Sequence, residues 1–253
     1  MLVISDVHGN LPALRSIIES AGRYDEVVVL GDLVDYGPWP AEVLDLVRSL
    51  GARVVRGNHD HAVGYGVDCR CSEETHWLSV WYRENITMKL LSDTDRQWLA
   101  RLPLRLALDL GNTRAVAVHA APSNPLYEYL YPWLGKEEIC ARLHGPTVSL
   151  RRTRNECPGG LYLVGHTHLQ FMLTLEGTTV LNPGSAGQPR DGVPKAAYAI
   201  IDAETGRVKL SRAPYSVEEV RRRHRELGIP EPYLSALDQI LLTGRVPPRP
   251  KSV

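Results

Sequence analysis

The sequence predicts an α/β fold built on parallel strands. Short apolar runs alternate with segments whose apolar residues recur at helical spacing, and turn residues separate the two kinds of segment. A strand that is buried on both faces forms a continuous apolar run, which is the pattern of the short segments. A β-α-β-α-β succession of this kind indicates parallel strands joined by right-handed crossovers.

Each element of this succession has a local signal. The run "LVIS" from Leu2 predicts the first strand, and "NLPALRSIIESAG" predicts a helix with Asn10 as its N-cap and Gly22 as its stop. "EVVVLGD" and "ARVVRGN" predict the second and third strands, and "WPAEVLDLVRSLG" between them predicts a helix that ends at Gly51. "RAVAVHAAP" and "LYLVGHTH" predict two further strands.

Residues 62–103 depart from this rhythm and predict a helical insertion. Ser72 and Ser92 are each followed by acidic residues, the pattern of an N-cap with a favourable first turn. We expect the insertion to cover one wall of the cleft. Its aromatic side chains are expected to pack it down: Trp77, Trp81, Tyr82 and Trp98.

The last part of the chain predicts a hairpin and two helices. "AAYAIIDAETG" and "RVKLSRAPY" indicate an antiparallel hairpin that turns at Thr205 and Gly206. Residues 216–253 predict a C-terminal helical extension, packed on the same domain and ending in a loose Pro-rich tail. The arginines from Arg221 to Arg225 are either a solvated helix face or a contribution to binding nucleic acid or a partner subunit.

Composition excludes several classes of protein. Lys+Arg and Asp+Glu both number 29 in 253 residues, which disfavours binding to nucleic acid through a broad basic surface. No apolar run approaches the roughly 18 residues of a membrane span, and the first residues lack the apolar region of a secretory signal. We therefore expect a cytoplasmic protein with no membrane partner.

The four cysteines are expected to be free thiols in a reducing cytoplasm. Only Cys69 and Cys71 are close in sequence, and they lack the C-x-x-C spacing of a zinc knuckle or redox pair. A small additional metal site formed by these two cysteines and His76 stays open as an alternative.

Polar side chains with metal-ligating chemistry follow five of the predicted strands. In α/β sheets, functional residues collect in the loops beyond the carboxyl ends of the strands. These loops carry Asp6, His8, Asp32, Asp35, Asn58, His59, Asp60, His61, His119, His166 and His168. Converging His, Asp and Asn side chains are typical of a metal-dependent catalytic site.

Two local features of these loops have a physical interpretation. An extended backbone in "LVGHTHLQF" would point His166 and His168 to the same face. A strand that turns sharply beside an ion needs a residue without a Cβ atom. Four glycines lie next to candidate ligands in this way: Gly9, Gly31, Gly57 and Gly165.

The loop motifs resemble the ordered signature of the calcineurin-like metallophosphoesterase superfamily. "DVHGN", "GDLVDYGP", "GNHD", "VHAAP" and "GHTH" match it over about residues 1–190. "NPGSAGQPRDG" resembles a segment of small prokaryotic members, which include phosphodiesterases and some dinucleoside polyphosphate hydrolases. The resemblance implies a four-layer αββα sandwich, in which two mixed β-sheets are flanked by helices, with residues 1–215 as the catalytic domain.

The resemblance also implies two divalent metal ions. One would be held by Asp6, His8 and His168, the other by Asn58, His119 and His166, with Asp32 bridging both. Mixed nitrogen and oxygen ligands suit Mn, Fe, Zn, Ni or Co, and the sequence does not choose among them.

The acid that protonates the leaving group would be His59, which in the family is not a metal ligand. A positioned acid contributes on the order of 10²- to 10⁴-fold in rate. Asp35 would hydrogen-bond to the His59 imidazole and keep it oriented and protonated. The alternative is that Asp35 is a turn residue before "YGPWP".

Candidate substrate contacts are Tyr36, Asn124 and Arg190. Tyr36 could bound the pocket or stack on a base, Asn124 lies near a ligand in sequence, and Arg190 could pair with a phosphate through its planar fork. Each could equally be an ordinary loop residue.

The function that the resemblance implies is hydrolysis of a phosphoester or phosphoanhydride by a metal-bridging hydroxide. We expect a small substrate, namely a phosphodiester, a phosphomonoester or a nucleotide, because no long basic groove is evident in the sequence. Two alternatives remain: a protein serine/threonine phosphatase, and a non-catalytic scaffold of the same fold. The sequence leaves a homo-oligomer open.

Overall fold

Two five-stranded mixed sheets form the centre of the fold. The computed structural model describes residues 1–111, 114–145 and 156–249. The strands are β1 (Leu2–Ile4), β2 (Val27–Val29), β3 (Arg53–Val54), β4 (Arg105–Asp109), β5 (Arg114–Val118), β6 (Gly160–Leu163), β7 (Gln170–Leu175), β8 (Thr178–Pro183), β9 (Ala196–Ile201) and β10 (Val208–Ala213). The helices are α1 (Leu11–Ser20), α2 (Pro40–Ser49), α3 (Asn58–Tyr65), α4 (Glu73–Tyr82), α5 (Met88–Leu90), α6 (Asp93–Arg101), α7 (Lys136–Leu143), α8 (Val217–Glu226) and α9 (Tyr233–Thr243).

Both sheets combine three parallel strands with antiparallel neighbours. The first sheet runs β10-β9-β1-β2-β3, with β1, β2 and β3 parallel, β9 antiparallel to β1, and β10 antiparallel to β9. The second sheet runs β4-β5-β6-β8-β7, with β5, β6 and β8 parallel. Parallel β1, β2 and β3 and the C-terminal hairpin confirm those predictions.

Alternation along the buried strands explains the layers. Leu2 and Ile4 pack with the apolar faces of α1 and α2, whereas Val3 between them packs against the second sheet. A continuous apolar run is therefore needed, because both faces of β1 are covered. On the far side of the second sheet, Ile139 and Leu143 of α7 complete the stack. Helices, sheet, sheet and helix make the predicted four-layer αββα sandwich.

Helices fill most of the stretch predicted as an insertion. Between α4 and α5 the backbone forms a π-helical turn, Arg83–Thr87. Trp77 and Tyr82 are buried and pack with α9, and Trp81 stacks on Tyr233 at 4.2 Å between ring centroids. Trp98 packs instead on the main core, with the Arg48 guanidinium 4.5 Å from its ring centroid. These aromatic side chains therefore pack the helices down, as predicted.

Three local predictions can be compared directly with the observed caps. Asn10 caps α1 by accepting from Ala13 N at 3.1 Å, and Ser92 caps α6 by accepting from Asp95 N at 3.2 Å. Ser72 stands at the start of α4, but its hydroxyl lies 3.3 Å from Thr75 Oγ1 and makes no backbone cap. The neighbouring hydroxyl thus takes the place of the predicted backbone donor.

The expectation of four free thiols is wrong for two of them. Cys140 at the buried face of α7 is bonded to Cys157, whereas Cys69 and Cys71 are free. Sequence spacing could not predict this bond, because the fold brings residues 17 positions apart together.

Within the described ranges, no helix combines the length and apolar character that a membrane crossing requires. Residues 250–253 of the Pro-rich tail lie outside those ranges.

Candidate metal centre

The carboxyl ends of the parallel strands in both sheets meet at one edge of the sandwich. The first sheet brings Asp6 and His8 after β1, Asp32 and Asp35 after β2, and Asn58 and His59 after β3; the second brings His119 after β5, and His166 and His168 after β6. All nine side chains are at most 3% exposed. Burial of this many ionisable groups in one place calls for mutual compensation or a bound cation.

The predicted ligand side chains come together around Asp32. Its Oδ2 atom lies 3.2 Å from His119 Nε2 and 3.9 Å from His8 Nε2, and its Oδ1 accepts the His59 backbone N–H at 2.9 Å. Three groups of three at this cluster have ligand atoms within 4.8 Å of one another: Asp6, His8 and His168; Asp32, His119 and His166; and His8, Asp32 and His59. Asp32 thus stands between two sets of donors.

The imidazoles of His8 and His168 face each other with their lone pairs. Nδ1 of His8 lies 2.9 Å from Val34 O and Nδ1 of His168 lies 2.6 Å from Gln188 O. A carbonyl oxygen only accepts, so each Nδ1 carries the proton and each Nε2 is a lone-pair atom. These two Nε2 atoms are 3.3 Å apart. Burial lowers the pKa of His8 to about 3 and also lowers that of His168. Neither ring therefore takes up a second proton, on Nε2, near neutral pH.

Carboxylate and amide oxygens extend this cluster of acceptors. Asp6 Oδ2 accepts the His166 backbone N–H at 3.2 Å, whereas Asp6 Oδ1 has no hydrogen-bond partner among the described residues. Asp6 Oδ1 is 3.3 Å from His168 Nε2. Asn58 donates through Nδ2 to Cys69 O at 2.9 Å, which leaves its Oδ1 facing His119. Buried acceptors that converge, with Asp6 Oδ1 lacking any donor, fit a cation between them.

His119 is held for the second donor set. Its Nδ1 lies 2.7 Å from Leu30 O, and its Nε2 lies 3.0 Å from Asn58 Oδ1 and 3.1 Å from His166 Nδ1. Burial alone would lower the pKa of His119, but the Asp32 carboxylate, together with Asp6 and the Leu30 carbonyl, raises this pKa to about 9. His119 Nε2 thus faces both the Asp32 carboxylate and the Asn58 amide oxygen.

The backbone of the site is left-handed at seven candidate residues. The φ angles of His166 and His168 are 65° and 59°, so the predicted extended His-x-His segment is wrong. Both residues follow the end of β6, where the chain coils to aim two rings into one cluster. The other five are Asp6, His8, Asp32, Asp35 and Tyr36. This conformation costs non-glycine residues on the order of 1–3 kcal/mol each and is concentrated at functional sites.

Two of the predicted glycines are needed for close approach. A Cβ atom at Gly57 would lie 2.0 Å from Asp32 Oδ1, and one at Gly165 would lie 1.9 Å from Ser5 Oγ. Asp60 holds the same loops together, since its Oδ2 accepts from the N–H groups of Asp32 and Gly57 at 2.8 and 2.9 Å. Any side chain at either glycine would push the donor loops apart.

His59 lies beside the cluster and is held by a carboxylate. Its Nδ1 is 2.8 Å from Asp35 Oδ2, and its Nε2 is 4.0 Å from Asp32 Oδ2. Burial would lower the pKa of His59, but the Asp32 carboxylate, with further contributions from Cys69 and Asp35, raises it. The arrangement can hold an imidazolium ready to donate.

Arg83 is a site residue that the sequence reasoning missed. Its Nε donates to Asp35 Oδ2 at 3.0 Å and its Nη2 donates to Ser79 Oγ at 2.8 Å. This guanidinium lowers the pKa of Asp35 against the effect of burial. Arg83 opens the π-helical turn, 48 residues from Asp35, and no local motif indicates such a contact.

Two of the three predicted substrate contacts lie at the cluster. The Tyr36 ring is buried 5.0 Å from His8 and 5.2 Å from His59 between centroids, and the Arg190 guanidinium lies 5.9 Å from its centroid. Arg190 is half-buried and donates through Nε to Gln188 Oε1 at 3.2 Å. Asn124 has an exposed side chain, and its backbone closes a turn with Ala121 at 3.0 Å.

A column of stacked rings leads outward from His166. Tyr129 stacks on His166 at 4.0 Å between centroids, Tyr131 on Tyr129 at 5.4 Å, and Trp133 on Tyr131 at 4.7 Å. Interplanar angles are 27°, 4° and 11°, and Trp133 is 69% exposed. Sequence reasoning missed this column, although "YEYLYPW" places an aromatic residue at every second position. It provides a flat aromatic surface at the mouth of the site.

Comparison with known proteins gives a consistent family. The profile of the calcineurin-like phosphoesterase superfamily domain matches residues 1–206. The protein MJ0912 of Methanocaldococcus jannaschii is 28% identical over 247 residues, which cover 90% of this chain and 93% of that protein. The symmetrical bis(5'-nucleosyl)-tetraphosphatase of Coxiella burnetii is 34% identical over 152 residues, 57% of this chain. The match spans 49% of that tetraphosphatase, about half its length.

Solved structures agree with the profile. A protein from Pyrococcus horikoshii, PH1004, shares the fold with a TM-score of 0.75 at 22% identity, covering 94% of this chain and 96% of its own. A metallophosphoesterase from Sphaerobacter thermophilus is 32% identical with a TM-score of 0.72, covering 96% of this chain and 98% of its own. The resemblance of the loop motifs is thereby confirmed. The protein belongs to the calcineurin-like phosphoesterase superfamily and is a phosphoester hydrolase.

Proposed function

We propose that the protein hydrolyses a small phosphorylated substrate with two divalent cations bound at this centre. One cation is held by Asp6, His8 and His168, the other by Asn58, His119 and His166, and Asp32 bridges them. The observation that carries the proposal is the inward-facing lone pairs of His8 and His168, 3.3 Å apart and beside the unpartnered Oδ1 of Asp6. Such a set of acceptors fits a cation and lacks compensation without one.

The donor set also limits the choice of metal. Imidazole nitrogens together with carboxylate and amide oxygens suit Mn, Fe, Zn, Ni or Co. Bound in pairs, such ions bind phosphate oxygens, activate a water and stabilise the charge that develops during displacement. The side chains fix where this chemistry takes place, because the Nδ1 atoms of His8, His119 and His168 each lie at a backbone carbonyl.

His59 is proposed to donate the proton that the leaving oxygen takes up. It is buried beside the cluster but outside both donor sets, and Asp35 lies at its Nδ1. A proton on Nδ1 is then held by Asp35, and Nε2 carries the proton that can be transferred. Arg83 is a positioning residue, since it contacts Asp35 rather than the reacting atoms.

The proposed substrate is a nucleotide, because a nucleotide has both a phosphate and a flat base. Arg190 and Tyr36 border the cluster on one side, where a guanidinium can pair with a phosphate oxygen. The stacked column from Tyr129 to Trp133 offers an aromatic surface at successive spacings of 4.0, 5.4 and 4.7 Å from His166. Any of the nucleic-acid bases can stack on such rings, because each has a flat π-face. Relatives named as bis(5'-nucleosyl)-tetraphosphatases support the same class.

The domain organisation is also a proposal. Residues 1–215 are taken as the catalytic domain, 62–103 as a helical insertion within it, and 216–253 as an extension packed on it. The packing of α8 and α9 supports the last point: His224 Nε2 lies 3.0 Å from Tyr36 O, and Tyr233 stacks on Trp81. The extension thus buttresses a residue at the edge of the cluster.

A substrate screen tests the proposal against its enzymatic alternative. The manganese-loaded protein is assayed with a simple monoester, a diester, cyclic nucleotides, a dinucleoside tetraphosphate and a phosphopeptide. We expect the highest kcat/KM for a nucleotide substrate. Faster release of phosphate from the phosphopeptide than from any small substrate would instead support a protein serine/threonine phosphatase and overturn the nucleotide assignment. Asn124→Ala serves as a control variant that keeps the donor set.

A further inference from the structure

Two free thiols lie against the proposed acid. Cys69 and Cys71 have their Sγ atoms 3.0 Å apart, and each lies with one nitrogen of His59 in a group whose ligand atoms are all within 4.8 Å. Arg70 between them has a φ of 49°, so the chain bends and brings together two side chains that an extended strand would hold apart. Cys69 is buried and Cys71 is half-buried, which leaves an approach from solvent.

We propose that Cys69, Cys71 and His59 form a third cation site, selective for thiophilic divalent ions such as Zn²⁺ and Cd²⁺. Two sulfurs and an imidazole nitrogen are a common three-residue set for zinc, with the fourth position left to water. Binding replaces two thiol protons by one divalent ion and releases both protons. The set differs from the centre at Asp32, which has no sulfur ligand.

The surroundings do not oppose a cation here. The guanidinium of Arg83 acts on Cys69 and that of Arg190 on Cys71, and the charge of Arg83 is matched by Asp35 at 3.0 Å. Two thiolates then balance the charge of the ion itself. The loop is anchored as well, because Cys69 O accepts from Asn58 Nδ2 at 2.9 Å and Cys69 Sγ lies 3.3 Å from Ser79 Oγ. Small sulfur movements suffice to admit an ion.

The site has a consequence for catalysis that rests on the acid role proposed for His59. A cation on the His59 ring replaces one of its two ring protons: on Nε2 it removes the proton that would be transferred, and on Nδ1 it takes the place of the proton that Asp35 holds. Either way the ring is no longer the imidazolium that donates to the leaving group. Manganese prefers oxygen and nitrogen ligands and would leave the thiols unoccupied, whereas an excess of zinc or cadmium would fill the third site and inhibit. The same protein would therefore be active with one ion and inhibited by excess of another.

Cadmium titration of the manganese-loaded protein, with the Cys140–Cys157 disulfide intact and Cys69 and Cys71 as thiols, tests the binding. Thiolate ligands give an ultraviolet sulfur-to-cadmium charge-transfer band that nitrogen and oxygen ligands do not give. We expect this band in the wild type, and its loss in the Cys69→Ser/Cys71→Ser variant. The matched control is Cys140→Ser/Cys157→Ser, which removes two other sulfurs and should keep the band. A wild type without the band, or a Cys69→Ser/Cys71→Ser variant that keeps it, would overturn the site.

Activity of the same proteins separates this site from the function proposed above. With manganese alone, Cys71→Ser should keep its kcat within about twofold of the wild type, because the acid and both donor sets are retained. Inhibition by excess cadmium or zinc should weaken at least tenfold in that variant. If the band is lost but inhibition is unchanged, the inhibitory role is wrong. Inactivity of every protein with manganese would contradict the proposed function while the band still reports the site.

Discussion

His59 and Asp35 form a buried pair with 2.8 Å between Nδ1 and Oδ2, and neither side chain is more than 3% exposed. The same carboxylate oxygen accepts from Arg83 Nε at 3.0 Å. Asp35 therefore joins the proposed acid to a fixed positive charge. This series of hydrogen bonds orients the His59 imidazole and keeps a proton on its Nδ1 atom.

Replacing Asp35 by asparagine should move the alkaline limb of the kcat profile to lower pH. A general acid must be protonated, so activity falls as pH rises through its pKa. Asp35 helps to raise the pKa of His59, and asparagine removes that charge. The measurement is kcat against pH for both proteins, with Ser79→Ala as control, since Ser79 Oγ is an uncharged neighbour 3.4 Å from the same nitrogen. An alkaline limb at the same pH in both proteins would show that Asp35 does not influence the pKa of the catalytic acid.

His59→Asn should cut turnover by roughly 10²- to 10⁴-fold while both metal ions stay bound. The asparagine keeps a polar side chain but cannot protonate a leaving oxygen near neutral pH. Turnover is measured with a substrate that has a poor leaving group, and metal content by elemental analysis of the dialysed protein. Metal loss comparable to that of His119→Asn would show that His59 is a ligand.

The strands and the donor residues were accessible from sequence because their signals are local. Continuous apolar runs predicted β1 and β2, and each donor follows a strand by a few residues. What could not be predicted depends on distant partners. Arg83 meets Asp35 across 48 positions, and Cys140 meets Cys157 through the fold. No residue close in sequence to Arg83 or to Cys140 indicates which distant residue it contacts.

Backbone conformation at the donors was also beyond prediction. The extended arrangement expected for His166 and His168 follows from strand geometry, but β6 ends at Leu163 and both histidines are left-handed. Packing of the loops around Asp32 imposes this conformation, and intrinsic preference opposes it. Sequence pattern thus located the donors but could not describe the geometry that makes them converge.

Chelation should destabilise the protein, because the apo cluster holds facing lone pairs and strained donors. An ion at a hundred times its Kd stabilises by about 2.7 kcal/mol per site. For a chain of this size that corresponds to a rise in Tm of roughly 5–10 °C per site. Tm is measured with manganese and with a chelator. Asp6→Asn should lose part of the rise in Tm that metal produces. Asp68→Asn, which changes an exposed carboxylate, should keep all of this rise. Equal Tm values with and without metal would contradict the proposed centre.

Metal affinity should rise with pH up to about pH 9. Asp32 raises the pKa of His119 to about 9, so below that pH a proton must leave His119 before a cation binds. The apparent affinity should increase about tenfold for each pH unit in this range and then level off. Calorimetric titration in two buffers of different ionisation enthalpy measures the proton released. Binding without proton release at pH 7.5 would show that His119 is unprotonated in the metal-free protein.

Removing the outermost ring of the stacked column should weaken nucleotide substrates selectively. Trp133 is 69% exposed and stacks on Tyr131, so truncation removes a base-stacking surface and leaves the donor sets intact. Stacking of one base contributes about 1–3 kcal/mol, which corresponds to a rise in KM of roughly 5- to 160-fold for a dinucleoside tetraphosphate in Trp133→Ala. Inorganic tripolyphosphate has no base and should keep its KM. Trp133→Phe retains an aromatic face and should recover most of the affinity. An equal loss for both substrates would mean that Trp133 supports the loop rather than a base, and the nucleotide assignment would lose its structural support.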